Sequence, residues 1–405
     1  MYLIINIIFF GLLTYLFLRK NTESFGYWPL LNVLFKCAMA MAVGFFYLYP
    51  EQNGDTWDIL NKITNFNESN SGSFTSYVKG LFMPINSYNP RSIFFVRLFS
   101  PVGLLSNNNY WIIGSYCALF STWCTWVFIK EVSARYPKQK LMIILIFGFF
   151  PSFHFWSSGL LKDTVVNGCF FFICATVIKI IDRLRINYSS YVLSMVLFGF
   201  LIMLRHYIAG IALIIILIIG MDSIAIYKGR LYRVFSFLGI CALGGYIIRF
   251  FFIRLRPERF PLTFYELHEQ ILANTTAGSI ININLAPTWA SILQNTPLTL
   301  VTGLFRPFIW EASNWLMLLQ SLESITLMAL FMWSSILLIK NKKMPSISPL
   351  LLGMGVFIVV LATILPFVTP NFGSLSRYSC IYKPFLAFIL VQLPMSCSWK
   401  PLIRC

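Results

Sequence analysis

Charged and polar ionisable side chains lie in apolar or aromatic surroundings at five places, and their types are those that bind an anion and move a proton. They are Asp55 and Asp58 in "NGDTWDIL", Lys162 and Asp163 in "SSGLLKDTVV", Arg205 and His206 in "LIMLRHYIAG", Arg306 and Glu311 in "LFRPFIWEAS", and Arg377 and Tyr378 in "SLSRYSC". A guanidinium group binds phosphate through two parallel hydrogen bonds. Carboxylate and imidazole groups accept protons. These residue types therefore favour a site for a phosphate-bearing substrate.

Each group also has a simpler explanation. An Arg or Lys near the end of a membrane span most often reaches the headgroups as an anchor. Lys162 and Asp163 could neutralise each other, and Asp55 could lie at the start of a helix in a solvated loop. His206 alone is more often a packed polar residue than a catalyst. The set is harder to explain in this way than any one member, because polar groups at membrane depth commonly mark functional sites.

The composition defines the class of protein that carries these groups. Of the 405 residues, 58% are hydrophobic and 11% are charged, whereas about a quarter of a soluble chain is charged. The mean hydropathy of +0.74 predicts a polytopic membrane protein. A net charge of +17 would indicate a nucleic-acid partner in a soluble protein. Here basic cytoplasmic loops explain it, so we expect no nucleic acid.

Nothing in the sequence indicates a metal or a redox cofactor. The nine cysteines include no CxxC pair, and most of them lie in apolar runs. Buried thiols are the better interpretation than disulfides or metal ligands. No carboxylate cluster has the pattern of a cation site. We therefore expect neither a metal nor any other cofactor.

Apolar stretches predict the number of membrane spans, each of which needs about 20 residues or somewhat fewer with anchoring ends. Eleven stretches qualify: 2–18, 29–49, 110–129, 141–157, 164–181, 189–204, 207–220, 234–253, 315–339, 348–368 and 380–396. Two shorter pieces, 93–105 and 298–310, predict re-entrant or interfacial half-helices. The segment Leu262–Asn274 is typical of an amphipathic helix lying on the membrane. The sequence thus predicts an all-α polytopic protein with about 11 transmembrane helices plus two half-helices.

The distribution of Lys and Arg predicts the orientation. With the N-terminus outside, the short inner loops are strongly basic and the outer segments are close to neutral. This arrangement requires a break between two spans at Arg205 and His206, since one long helix there would reverse every later loop. We predict a single integral membrane domain over residues 1–405, with large outer loops at about 50–109 and 254–314. The five charged places then all fall at the outer face.

Aromatic residues accompany the charged groups in these outer segments. A belt at the membrane interface is the ordinary interpretation, and stacking against sugar rings is the alternative. The residues are Trp57, Tyr77, Tyr88, Trp111, Trp156, Trp289, Trp310, Trp315 and Tyr378.

A series of short motifs in this order resembles a known family. The motifs are "NGDTWDIL", "NPRSIFFVRLFSP", "NNNYWIIGSY", "FWSSGLLKD", "LRHY", "LFRPFIWEASN" and "SRYSCIYKPFLAFIL". Together they look like the bacterial surface-polysaccharide polymerases of the EpsG and Wzy type, which build O-antigen, capsule or exopolysaccharide. These are similar in architecture to the broader GT-C-like membrane glycosyltransferases. The resemblance runs over most of the chain and is carried by order and topology.

The resemblance implies an activity and a location. Such enzymes work at the outer face of the bacterial cytoplasmic (inner) membrane. They move a growing glycan from its undecaprenyl pyrophosphate to a hydroxyl of the next lipid-linked repeat unit. The implied partners are the lipid-linked glycan donor and acceptor, the lipid bilayer, a flippase and a chain-length regulator.

The resemblance also implies roles for the charged residues. Pyrophosphate binding falls to Lys162, Arg205, Arg306 and Arg377, because cations must stabilise the charge that grows on the leaving group. Arg306 is also counted among the catalytic residues. Asp55 is the expected base, and His206 is the second choice. The supporting residues are Asp58, Asp163, Glu311 and Tyr378, of which Asp163 or Glu311 would orient the cations.

Two other functions fit the same sequence. A GT-C glycosyltransferase that adds a single sugar from a polyprenyl-phosphate donor shares both the topology and the chemistry. A transporter or flippase of lipid-linked sugars belongs to another class. Transporters often show duplicated halves and polar residues near the midplane of the membrane. This sequence shows no internal repeat, and its unexpected charges gather at one predicted face.

Overall fold

The computed structural model of the protein describes residues 1–48, 55–84, 89–182, 187–228, 258–275, 277–341 and 347–396. Regular structure in these ranges is helical, apart from an isolated antiparallel bridge between Ile280 and Asn371. Seven of the described helices are long and apolar enough to cross a membrane, and a bent helix pair would make an eighth crossing. The prediction of an all-helical polytopic membrane protein is confirmed.

The chain divides into two compact units, Met1–Gly210 and Ile211–Cys405. The helices of the first unit are α1 (Tyr2–Phe25), α2 (Trp28–Leu48), α3 (Asp55–Ser69), α4 (Phe74–Phe82), α5 (Pro90–Leu105), α6 (Tyr110–Arg135), α7 (Lys140–Phe149), α8 (Pro151–Trp156) and α9 (Lys162–Ile181). Helix α10 (Tyr188–Lys228) begins in this unit and continues past its boundary.

The core of the first unit is the contact between α6 and α9. Phe128 of α6 meets Phe171 of α9 edge to face, with ring centroids 5.1 Å apart. Phe147 of α7 and Phe153 of α8 join the same cluster. A Cβ atom on Gly168 of α9 would lie only 2.7 Å from the Phe120 ring of α6. Close helix packing of this kind gives α9 a fixed position, which matters because α9 carries Lys162 and Asp163.

The second unit holds six further described helices. They are α11 (Phe260–Leu272), α12 (Trp289–Phe305), α13 (Trp315–Asn341), α14 (Pro349–Val368), α15 (Phe372–Ser379) and α16 (Lys383–Ser396). Helix α12 approaches α14 so closely that a Cβ on Gly303 would lie 2.1 Å from the carbonyl oxygen of Ala362. The Tyr382 hydroxyl donates a 2.6 Å hydrogen bond to the Gly303 carbonyl. The end of α12 is thereby held against the segment between α15 and α16.

Six predicted spans coincide with candidate spans of the structure, namely α1, α2, α6, α9, α13 and α14. The predicted span 234–253 lies outside the described residues. The amphipathic segment Leu262–Asn274 is helical as α11, and the piece 93–105 falls in α5. The total of eleven spans stays a prediction.

The structure differs from five other predicted segments. Predicted span 141–157 consists of α7 and α8, because Pro151 lacks an N–H and begins a new helix. The predicted spans 189–204 and 207–220 form one candidate span, Tyr188–Ile216, in which the predicted break is a kink with non-helical backbone at Arg205. The outer placement of the charged residues after Arg205 therefore stays a prediction. The half-helix 298–310 is replaced by α12, which Thr288 caps and which begins nine residues earlier, at Trp289. The span 380–396 is the second arm of the pair α15 and α16, bent by 59°.

Candidate functional site

Asp163 and Arg205 form an ion pair between two helices of the first unit. Asp163 is the second residue of α9, and Arg205 lies where α10 is kinked, with φ −146° and ψ 70°. The Asp163 Oδ1 atom accepts hydrogen bonds from Arg205 Nε at 3.2 Å and Nη2 at 2.7 Å. The two side chains are only 7% and 12% exposed. The carboxylate therefore fixes the orientation of the guanidinium group.

A turn of five residues, 157–161, presents Lys162 and Asp163 at the start of α9. Gly159 has a backbone φ of +71°, a conformation that residues with a Cβ atom rarely adopt. The Thr164 hydroxyl donates to the carbonyls of Ser158 and Gly159 at 3.0 and 3.1 Å. These hydrogen bonds hold the turn against α9, the helix that follows it. Lys162, the first residue of α9, is half-buried.

Asp55 lies beside this turn because its neighbour Thr56 is bonded to it. The buried Thr56 hydroxyl is 2.9 Å from the Leu160 carbonyl oxygen and 2.9 Å from the Tyr110 hydroxyl. Trp57 stacks on the Tyr110 ring, with centroids 4.3 Å apart. Asp55 itself is exposed at the first position of α3. The carboxylate is thus accessible and next to the residues that precede Lys162.

Asp58 has a different setting from Asp55. It is also exposed, and it forms an ion pair with Lys62 one turn further along α3. Both side chains of this pair are about half exposed. The structure gives Asp58 the surroundings of a surface pair, and its supporting role stays a prediction.

A second arginine, Arg91, acts on the same region as Arg205. Arg91 and Arg205 both lie within electrostatic range of the His206 ring, and His206 is exposed. Phe94 of α5 packs against Phe200 of α10 at 5.6 Å, which holds the two helices together. Arg91 was not among the predicted site residues.

A sequence signal for Arg91 was nevertheless present in "NPRS". Asn89 caps α5 and Pro90 occupies its first turn, so Arg91 places a cation where the helix dipole disfavours one. An unfavourable placement of this kind is a reason to suspect function. We call the residues of this region the Asp163 cluster: Asp55, Arg91, Lys162, Asp163, Arg205 and His206.

In the second unit, Arg306 and Glu311 form an ion pair within a single loop. Arg306 follows the last residue of α12, and its Nε atom lies 2.9 and 3.1 Å from the two Glu311 carboxylate oxygens. Its Nη2 atom also donates to Glu311. The second Glu311 oxygen accepts the backbone N–H of Phe308 at 2.8 Å. Both charged side chains are 17% exposed. The pair is therefore fixed by its hydrogen bonds while part of it stays accessible to solvent.

Arg377 lies on the short helix that packs under Arg306. The Arg306 guanidinium carbon is 5.1 Å from the ring centroid of Phe372, the first residue of α15. Arg377 and Tyr378 are half-buried in the last turn of the same eight-residue helix. We call Arg306, Glu311, Phe372, Arg377 and Tyr378 the Arg306 cluster.

Two buried lysines lie within helices, and the sequence did not reveal their partners. Lys383 at the start of α16 is 3.3 Å from a Glu323 carboxylate oxygen of α13, with side chains 1% and 8% exposed. Lys36 of α2 donates to the Ser157 hydroxyl, the first residue of the turn that leads to Lys162. Both contacts join elements that are distant in the sequence, and the Lys36 contact holds the turn that precedes Lys162.

The opposite end of α9 carries ion pairs of the same chemical type. Arg135 of α6 pairs with Asp182, which follows the last residue of α9, and Lys179 lies 3.1 Å from Glu131. Twenty helical residues span about 30 Å, so these pairs are far from Asp163. Arg135 is therefore a matched control for Arg205 and Arg306.

The fold and these clusters describe an all-helical polytopic membrane protein with carboxylate-held arginines at helix breaks and ends. Comparisons with models of protein families, with curated proteins and with solved structures find no match. Among the described residues, no group of three or more His, Cys, Asp or Glu side chains is placed to hold a metal ion. What the clusters offer chemically is oriented cations, an exposed carboxylate and an exposed imidazole.

Proposed function

We propose that the protein is a glycosyltransferase that polymerises undecaprenyl-pyrophosphate-linked oligosaccharide repeat units. The reaction would take place at the outer face of the bacterial cytoplasmic membrane. The proposal includes a GT-C-like architecture with about eleven spans. A flippase would deliver the lipid-linked units, and a chain-length regulator would limit the product.

The observation that carries the proposal is the way in which Arg205 and Arg306 are held. A headgroup anchor gains its stability by reaching water and lipid freely. These two arginines are instead less than a fifth exposed, and a carboxylate fixes each one through Nε and Nη2. A fixed guanidinium group suits a bound anion, because its donors are already oriented when charge develops. Pyrophosphate is the anion of the undecaprenyl-linked repeat units that the proposed polymerase uses.

The chemistry that follows assigns a role to each charged group. The bond between the anomeric carbon of the donor glycan and the pyrophosphate oxygen breaks, and the oxygen keeps the electron pair. Arg306 and Arg377 would stabilise the negative charge on that leaving group, and Lys162 and Arg205 would also bind pyrophosphate. Glu311 and Asp163 would orient Arg306 and Arg205.

The acceptor hydroxyl must lose a proton as its oxygen bonds to the anomeric carbon. Asp55 would accept that proton, since it is exposed and its neighbour Thr56 fixes it beside the Lys162 turn. His206 is the second choice, because it is an exposed member of the Asp163 cluster, next to Arg205. Tyr378 and Asp58 would have supporting roles.

The test is complementation of a bacterial strain that lacks this gene, scored by the ladder of surface glycan on a gel. The variants are Arg306→Ala, Arg205→Ala, Arg377→Ala, Lys162→Ala and Asp55→Asn, each matched to wild type in membrane abundance. Arg135→Ala is the control, because it removes an arginine–carboxylate pair at the other end of α9.

We expect a single repeat unit in the null strain and in the Arg306 and Arg205 variants, with a full ladder in the control. A full ladder in all five site variants would contradict the proposal and leave these cations as membrane anchors. A ladder that persists in the null strain with one sugar missing from each unit would instead indicate a transferase that adds a single sugar.

A further inference from the structure

Two aromatic rings project from the loop that contains Arg306 and Glu311. Phe308 and Trp310 stack on each other, with centroids 4.9 Å apart and planes inclined by 27°. Trp310 is 78% exposed, although a tryptophan of a folded chain is highly buried on average. One face of this ring is therefore covered by Phe308, and most of the remainder is open.

The loop that carries these rings is closed by the same contacts that hold Arg306. Glu311, the residue after Trp310, accepts Arg306 Nε through both carboxylate oxygens and the Phe308 N–H through one of them. The backbone N–H of Glu311 returns to the Phe308 carbonyl at 3.0 Å. The chain on both sides of Trp310 is thus tied to the guanidinium group. The position of the indole relative to Arg306 is fixed by the loop itself.

We propose that the exposed face of Trp310 binds the sugar ring that is attached directly to the pyrophosphate of a lipid-linked glycan. One face of a pyranose ring presents C–H groups, which pack on an aromatic face while the hydroxyl groups remain in water. A pyrophosphate bound by Arg306 would bring its first sugar to the neighbouring indole. The inference rests on the proposed function and names the part of the substrate that this loop recognises.

A tryptophan that only anchors the protein at the membrane interface is the competing explanation. Trp315 provides the comparison, because it is 63% exposed in the same unit, at the start of α13. Its backbone lies beyond the loop that Arg306 and Glu311 close. Replacing either tryptophan by leucine removes the aromatic face and keeps an apolar side chain. An anchoring role would therefore affect Trp310 and Trp315 alike.

The experiment measures binding to the full-length protein in nanodiscs with two kinds of probe. One is undecaprenyl pyrophosphate, and the other is the same lipid carrying glucose, galactose or N-acetylglucosamine. We expect at least one sugar to tighten binding by about two- to tenfold, the range of an aromatic stacking contact. Trp310→Leu should abolish this gain without changing the affinity for the bare lipid. Trp310→Phe should keep part of the gain, and Trp315→Leu should keep all of it.

The outcomes separate this inference from the proposed function. If Trp310→Leu keeps the full gain, or if none of the sugars tightens binding to the wild type, the sugar platform is refuted while pyrophosphate binding stands. Equal losses in Trp310→Leu and Trp315→Leu would assign both residues to the interface and also refute it. Arg306→Ala should weaken binding of all probes. If the wild type binds no probe, the proposed function fails together with the inference.

Discussion

The Asp163 and Arg306 clusters contain the same arginine–carboxylate contact, but the chain builds the two contacts differently. Asp163 and Arg205 are 42 residues apart and join α9 to the kink of α10. Arg306 and Glu311 are five residues apart and close one loop. The first pair joins two packed helices, whereas the second holds a single loop that follows α12.

The two carboxylates therefore contribute differently to the stability of the fold. Removing Asp163 would leave a guanidinium group buried between helices with one charge uncompensated, which affects the fold as well as the site. Removing Glu311 would free a loop while leaving α12 and α14 packed through Gly303. Variants of the Arg306 cluster therefore report on function more cleanly than variants of the Asp163 cluster.

The largest effect on stability is expected at the buried pair of the second unit, Glu323 and Lys383. Glu323→Gln should lower the free energy of unfolding by about 3–5 kcal/mol, because it leaves Lys383 charged and buried. Denaturant titration in mixed micelles measures this loss. Replacing both residues, as Glu323→Leu with Lys383→Met, should restore most of the stability. If the single variant is as stable as wild type, sequence-distant pairing does not mark the pairs that support the fold.

A somewhat smaller effect is expected for Asp163→Asn, since Arg205 retains 12% exposure. The free energy of unfolding should fall by about 3 kcal/mol, at the lower end of the range for a broken buried pair. Glu311→Gln should lower it by less than Asp163→Asn does, because the Arg306–Glu311 pair closes one loop and joins no two helices. The same titration compares the two variants. Equal losses would remove the distinction between a packing pair and a loop pair.

Much of this contrast was not visible in the sequence, and the reason is physical. Hydropathy locates spans because an apolar run of sufficient length has few other uses, so six spans were placed well. Some ion pairs join residues that are 42 or 60 positions apart in the sequence, such as Asp163 with Arg205 and Glu323 with Lys383. Such pairs depend on how the helices pack. No local pattern encodes that packing.

Two helix boundaries had signals in the nearby sequence, but the spans were predicted from hydropathy, which does not register them. Pro151 divides the predicted span 141–157, and Thr288 caps α12, which begins at Trp289, nine residues before the apolar piece at 298. The types of the site residues were readable because charges in apolar surroundings are rare. Arg91 was missed because exposed arginines are common, and only its position in a first helical turn is unusual.

Thr56→Val should moderately reduce both the free energy of unfolding and the length of the glycan ladder. It leaves the Leu160 carbonyl without this hydrogen bond, and it also removes the contact with the Tyr110 hydroxyl. The cost should be about 1–3 kcal/mol, and the glycan ladder should shorten because Asp55 is no longer fixed beside the Lys162 turn. Thr56→Ser keeps the hydroxyl and should retain both properties. A normal ladder with Thr56→Val would remove the link between Asp55 and that turn.

The smallest effect is expected for Asp58→Asn. Its pair with Lys62 is about half exposed and lies one helical turn along α3, where such pairs contribute about 0.3–0.5 kcal/mol. Unfolding and the glycan ladder should both match wild type within error. A lost ladder with normal stability would show that Asp58, and not only Asp55, serves the reaction.

The most direct test of the oriented-arginine hypothesis replaces guanidinium by ammonium without changing charge. Arg306→Lys and the control Arg135→Lys are expressed to equal levels in the null strain, and their surface glycan is compared on a gel. A lysine cannot reproduce the two-pronged contact with Glu311 or offer pyrophosphate a rigid fork. We predict a single repeat unit for Arg306→Lys and a full ladder for Arg135→Lys. A full ladder for both variants would contradict the claim that an arginine oriented by Glu311 binds the pyrophosphate.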